Sequence, residues 1–394
     1  MGRTRRVHRS LIAKSRLLEA GNCGVVVSRV FVPNFQFEME LLGLSVRRDI
    51  IQATSGLAGC FLPMLRPGDV VRNVDEEWPV APSAVIPWGW SQRVREKAMQ
   101  SFGAVDCPDV AAVARVNRRS WAARWEVANG QAGAGAIVVE DVDEVASVLR
   151  DCLATGGRWL IKADLGASGR GVSRLEGVEE GVRTAVRWMR RDGCVVVERE
   201  LVSLAELGVL FEIKSDGAVE SLGFTQLLTT TGGGYLGSRT SGAIDERIRC
   251  QVGGLWPTVE KVVEAVAREG YVGPVGIDAM LHKDKQGRHM WRVAQDINAR
   301  WTMGRCAWEW HQQLQPDLGV TLLQLDAAWV HDAEDRLSTI EKQVPQLRKI
   351  HLCEQPAGVP RGEKQLVVLE WCSGPDAAMS EREAITRLRD GGAC

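Results

Sequence analysis

The 394-residue chain has no C-x-x-C pair; its ten cysteines are scattered singly from Cys23 to Cys394. That spacing argues against a zinc site and against a dense disulfide framework, and a reducing cytoplasm is the expected location. The six histidines do not cluster, which removes a metal site of the H-E-x-x-H type. No uninterrupted apolar stretch reaches about 18 residues, so no membrane-spanning helix is predicted. The first twenty residues lack the apolar core and small-residue cleavage site of a signal peptide. Net charge is −1, which makes no case for nucleic-acid binding. Tyrosine is scarce, two against fourteen tryptophans, but large rings fill cores or ligand grooves and identify no function alone.

What is present is an ordinary globular composition, 45% hydrophobic and 25% charged, in a chain long enough for two or three subdomains. Arg3, Arg5, Arg6, Arg9, Lys14 and Arg16 make a basic run with no acid. Residues 1–19 are therefore read as a solvated terminus, with an anionic partner as the alternative. Short apolar runs at 23–30 and 68–72 predict a small α/β unit over 20–102, and Pro79–Trp90 a connector. Alternating helical and strand patterns follow. Strands are expected at 136–140, 158–163, 194–200, 207–214, 219–228, 275–282 and 289–298. Helices are expected at 108–128, 142–154, 178–191 and 255–268. The last ninety residues predict a helix near 319–336, a strand near 365–371 and a helix near 379–389. Thr229–Gly242 is rich in Gly, Ser and Thr and predicts a mobile loop.

Two stretches carry chemistry. In the first, strand Trp159-Leu-Ile-Lys162 runs into a loop containing Gly166, Ser168, Gly169 and Gly171. Glycines let backbone N–H groups approach phosphate oxygens and a lysine adds a point charge, although a plain strand-to-turn reading also fits. In the second, Asp278 lies on one strand of a hairpin whose partner strand carries Asp296, Asn298 and Arg300 on one face. Such a face is costly to bury without a ligand. Its oxygen donors suit Mg²⁺, with Mn²⁺ as a substitute, and Arg300 would stabilise developing negative charge. A solvated hairpin face is the alternative. Asn34, Glu38 and Glu40 in the first unit read either as a substrate groove or as caps and solvated surface. Arg239 reads as a lid contact or an exposed cation.

Taken in this order, the lysine and glycine loop, the apolar strand with acids and the D…D-x-N-x-R hairpin resemble the ATP-grasp family over residues 103–305. The resemblance implies an α/β fold of the α+β ATP-grasp kind. An N-terminal pre-ATP-grasp-like unit (20–102) would precede two subdomains clasping ATP (103–336), with a small C-terminal α/β extension (337–394). It implies that Lys162 and Gly166–Gly171 contact the triphosphate, that Glu198 and Leu201 face adenine, and that Glu206 meets the ribose. Asp278, Asp296 and Asn298 match its metal-binding set, and Arg300 its arginine two places after the asparagine. Two departures stand out. Many members have glutamate where Asp296 stands, and a second phosphate-binding lysine is missing from Val116–Ser120, where Arg119 is the cation left to serve. The implied activity is a Mg·ATP-dependent carboxylate–amine ligase, with Lys162 and Arg300 as catalytic residues and an acyl phosphate intermediate. The run Asn298–Gly304 is similar to members that join amino acids or peptides, so small-molecule acids and amines are the expected partners. A kinase on the same fold and a non-catalytic ATP-binding protein are the alternatives.

Overall fold

The computed structural model describes residues 29–79, 82–131, 135–166, 171–229, 234–240, 244, 246–314, 319–327, 334–344, 347–357, 359, 362–371 and 383–388. The basic run at 3–16, most of the strand expected at 23–30, and Ser168 and Gly169 lie outside them.

The first unit is a three-stranded parallel sheet in the order β2–β1–β3, from Arg29–Val32 (β1), Val70–Val71 (β2) and Ala84–Pro87 (β3). Parallel pairing needs a crossover. Helices Phe37–Leu41 and Arg48–Ser55 and the 3₁₀ turn Gly56–Met64 supply it. Pro87, which lacks an N–H, closes the strand inside the expected connector.

A four-stranded antiparallel sheet follows, in the order β4–β7–β5–β6. Its strands are Ile137–Val139 (β4), Trp159–Ala163 (β5), Val172–Arg174 (β6) and Val195–Arg199 (β7). Helices Val142–Ala154 and Val178–Asp192 cover one face, packing Leu149, Ala185 and Met189 on Ile161 and Val197. The second helix starts with Glu179 and Glu180, ends with Arg190 and Arg191, and stops at Gly193 with φ 94°. Charge and terminal glycine both match the helix dipole and its left-handed cap.

The third sheet has eight antiparallel strands in the order β12–β11–β8–β9–β10–β13–β15–β14. They are Ser203–Ile213 (β8), Val219–Thr229 (β9), Tyr235–Arg239 (β10), Gly273–Lys283 (β11), His289–Asn298 (β12), Gly319–Asp326 (β13), Leu347–Leu352 (β14) and Lys364–Trp371 (β15). One core cluster joins this sheet to the first unit, bringing Phe31, Phe37 and Phe61 together with Val209, Ile277 and Trp310.

Two expectations change. The segment 319–326 is a strand, not the start of a helix, and the helix begins only at Glu334. Inside the expected loop, Tyr235–Arg239 forms β10 between β9 and β13. Beyond residue 337, β14 and β15 extend the same sheet. No helix among the described residues is long and apolar enough to cross a membrane.

Candidate functional site

Alternation along β5 buries Trp159, Ile161 and Ala163 in the helix-covered layer or beside it. Lys162, only 5% exposed, lies on the opposite face, where its Nζ is 2.7 Å from Glu198 Oε1. Glu198 belongs to β7, which is hydrogen-bonded to β5. Across the site, Arg292 on β12 donates from Nη1 and Nη2 to both oxygens of Glu198, each at 2.8 Å. The same guanidinium donates from Nε and Nη2 to Glu126 at 2.9 and 3.1 Å. Two buried cations and two buried acids thus close a network that bridges the four-stranded and eight-stranded sheets. Burial pushes the Glu198 carboxyl up, but Arg292 and then Lys162 outweigh it and hold it at about 2.

Next to this network Asp278 and Asp296 face each other in register on β11 and β12. Asn298 Nδ2 donates to Asp278 Oδ2 at 3.1 Å. Glu206 on β8 pairs with Met280, one position along the same face. Burial, then the charges of Asp296 and Glu206, pushes the Asp278 carboxyl up to about 7. Burial likewise raises Glu206. Crowded carboxylates short of countercharge are a setting that a divalent cation relieves, and two acids with an amide suit Mg²⁺ that also holds phosphate oxygens. Among the described residues no three His, Cys, Asp or Glu side chains are grouped so as to hold a metal alone. Among the described residues Arg119 supplies the one cation in contact, with Nε 2.9 Å from Asp296 Oδ1.

The chain after Asn298 is pinned from two sides. Ala299 N–H donates to Asn117 Oδ1, and Trp301 N–H to the Trp88 carbonyl. This fixes Arg300, whose Nη2 is 2.7 Å from Glu38 Oε1 and whose guanidinium lies 5.7 Å from the centre of the Trp88 ring.

These groups line one cavity of about 760 Å³ between the two larger sheets and the first unit. Of the residues singled out from sequence, Lys162, Gly166, Arg119, Glu198, Leu201, Glu206, Asp278, Asp296, Asn298 and Arg300 all reach its wall. Gly171 closes the loop behind it with φ 75°, its would-be Cβ 3.0 Å from Ala163 Cβ. Glu38 lines the cavity, whereas Asn34 and Glu40 do not. Asn34 instead bonds Gly89 O and Glu40, and Glu40 accepts from Ser91, so both brace the first unit. Arg239 is neither a lid contact nor exposed: it ends β10 at 7% exposure and donates to Gln226. Arg292, Glu126 and Asn117 escaped sequence reading. Only Arg292 left a trace, an even-numbered step from Asp296 and Asn298 along one apolar strand. Thr225 Oγ1 and Gln295 Oε1, buried on the cavity wall, have no hydrogen-bond partner among the described residues. Such atoms mark where a ligand's polar groups fit.

The chain has the ATP-grasp fold, as its likeness to solved structures shows. It is similar over 91% of its length to N5-carboxyaminoimidazole synthase from Aspergillus clavatus, solved with ADP and 5-aminoimidazole ribonucleotide, at 13% identity, 98% coverage of that chain and a TM-score of 0.54. It is also similar to the biotin carboxylase–β,γ-ATP complex from Campylobacter jejuni, with 92% of this chain and 94% of that one covered, 13% identity and a TM-score of 0.56. The biotin carboxylase domain of Hydrogenobacter thermophilus 2-oxoglutarate carboxylase, solved with MgADP and bicarbonate, matches 91% of this chain and 89% of that one, at 14% identity and a TM-score of 0.55. By sequence, no family model and no curated protein matches the chain.

Proposed function

We propose that this chain binds Mg·ATP in the cavity between the two larger sheets and uses it to join a carboxylate to an amine. The observation that carries the reading is convergence. Lys162 from one sheet and Asp278, Asp296 and Asn298 from the other reach the wall of a single cavity whose size suits a nucleotide and a small substrate. The solved structures of like fold, which hold ADP, MgADP or an ATP analogue, support the nucleotide.

In this reading residues 103–336 carry the nucleotide and residues 20–102 supply the wall facing the acceptor. Lys162, Gly166 and the loop to Gly171 hold the phosphates, Leu201 the adenine edge and Glu206 the ribose. Asp278, Asp296 and Asn298 would hold Mg²⁺, which would supply charge neutralisation at the phosphate oxygens. A substrate carboxylate oxygen attacks the γ-phosphorus, the bond to the β–γ bridging oxygen breaks, and ADP leaves. The amine then adds to the acyl carbon, loses a proton, and phosphate departs. Arg300 is placed to steady negative charge on the transferring group. Amino acids or short peptides are proposed as substrates, on the resemblance of Asn298–Gly304 alone.

Product analysis tests it. Mg·ATP is incubated with pooled amino acids and short peptides, and ADP, free phosphate and new amides are measured. ADP and phosphate in equal amounts with a new amide support the ligase. A stable phosphorylated product instead replaces it with a kinase, and bound ATP with no ADP from any pool leaves only a nucleotide-binding protein.

A further inference from the structure

Each of the cations Lys162, Arg119, Arg292 and Arg300 on the cavity wall is matched to a carboxylate, and one of these pairs differs in kind. Lys162 and Arg292 share Glu198, Arg292 also holds Glu126, and Arg300 holds Glu38; those acids have side-chain exposures of 11% or less. Arg119 alone is paired to an acid of the proposed metal set, Asp296, whose side chain is 32% exposed. The two residues are 177 positions apart in sequence, so the contact is made by the tertiary fold and not by local geometry.

The guanidinium is divided between two tasks. Nε donates to Asp296, while Nη1 donates to the Ala163 carbonyl at 2.9 Å and the Gly171 carbonyl at 3.4 Å. Those carbonyls belong to the residue following Lys162 and to the far end of the glycine loop. Nη2 makes no hydrogen bond among the described residues, although Arg119 is only 7% exposed. The planar fork therefore stands between the metal side of the cavity and its phosphate side, tethered through Nη1. A lysine, with a single nitrogen head, has no such fork. A guanidinium on Asp296 Oδ1 weakens that carboxylate's attraction for a divalent cation, because the two like charges would repel across one small group.

We propose that Arg119 caps Asp296 until a divalent cation binds there, and that the displaced guanidinium, still held by Nη1, then turns its Nε and Nη2 donors to the nucleotide phosphates. The cap rests on the pair seen here and on the metal reading of Asp296 above, and the transfer to phosphate on the ATP reading. The cap has a consequence opposite to that of a structural ion pair: removing Arg119 should improve metal binding while weakening nucleotide binding.

The test uses Mn²⁺ without nucleotide, titrated by calorimetry and by its paramagnetic resonance signal, against wild type, Arg119→Met, Arg119→Lys and Asp296→Asn. Arg119→Met is expected to bind Mn²⁺ about tenfold more tightly than wild type, and Asp296→Asn to lose that binding. ATP affinity of Arg119→Met should fall by about tenfold, with Arg119→Lys between the two. Unchanged or weaker Mn²⁺ binding by a folded Arg119→Met protein overturns the cap. Should that variant not fold, the Arg119 Nε–H resonance of the wild type decides: Mg²⁺ alone shifts it if the cap is real and leaves it in place otherwise. Tighter Mn²⁺ binding in a protein that never binds ATP overturns the proposed function and the transfer, and leaves the cap standing.

Discussion

Arg292 gives both of its faces to acids, Glu198 on one side and Glu126 on the other, at 2.8 to 3.1 Å. Replacing it by leucine keeps much of the volume but leaves two buried carboxylates with Lys162 as their remaining cation. Breaking a buried pair from one side costs about 3–5 kcal/mol, so Arg292→Leu should lower the unfolding free energy in urea by that amount. Asp278 shows the opposite balance. Its folded pKa of about 7 lies above its ordinary value of 3.8. Below both values the carboxyl is protonated in either state and costs nothing. As pH rises from about 4 to 7 only the unfolded chain ionises, so native stability falls, by on the order of 4 kcal/mol once pH exceeds 7. Asp278→Asn should therefore be more stable than wild type at pH 8, with the difference closing by pH 4, in urea unfolding without divalent cations. Lys162 and the acids were legible from sequence because each interrupts an apolar strand. Glu126 was not, and Arg292 showed only its even-numbered spacing from Asp296, since their pairing spans 166 residues.

Among the elements, the hairpins β8–β9 and β11–β12 were readable because their turns carry strong signals, Asp216-Gly217 with φ 82° and Gly287 with φ 80° at the glycines. β13 was misread for a physical reason. It lies between β10 and β15 with both faces covered, Val320 and Leu322 in one core cluster and Leu323 and Leu325 in another, so its apolar residues do not keep to alternate positions. A continuous apolar run does not by itself separate a buried strand from a buried helix. β10 was hidden by its own glycine. A Cβ on Gly237 would lie 2.5 Å from the Leu322 carbonyl oxygen of β13. The backbone there approaches too closely for a side chain, and the glycine that permits it weakens the strand signal. Gly237→Val should thus cost about 1–3 kcal/mol in urea unfolding, while a valine at Gly253, which has open space around it, should cost less than 1 kcal/mol by the same measure.

At the scale of the whole molecule, the first unit is tied to the end of the chain as well as to its centre. A Cβ on Gly56 would come 1.7 Å from the Lys364 carbonyl oxygen of β15, and Gln355 Nε2 donates to the Gly56 carbonyl. The same core cluster runs under the cavity floor from the first unit into β11 and β12. The order of pieces along the chain was legible in advance. Their closure around one cavity was not, because it depends on the helix Arg119–Ala128 lying against β12 and bringing Arg119 and Glu126 to it. Calorimetric titration of Mg·ATP into wild type and into Asp296→Ala, with the melting temperature of each followed alongside, shows whether this cavity takes Mg·ATP through the acids on β11 and β12. Saturable binding with a raised melting temperature in the wild type, weakened at least about tenfold in the variant, is the expected result. A wild-type protein that neither releases heat nor gains stability with Mg·ATP would contradict it.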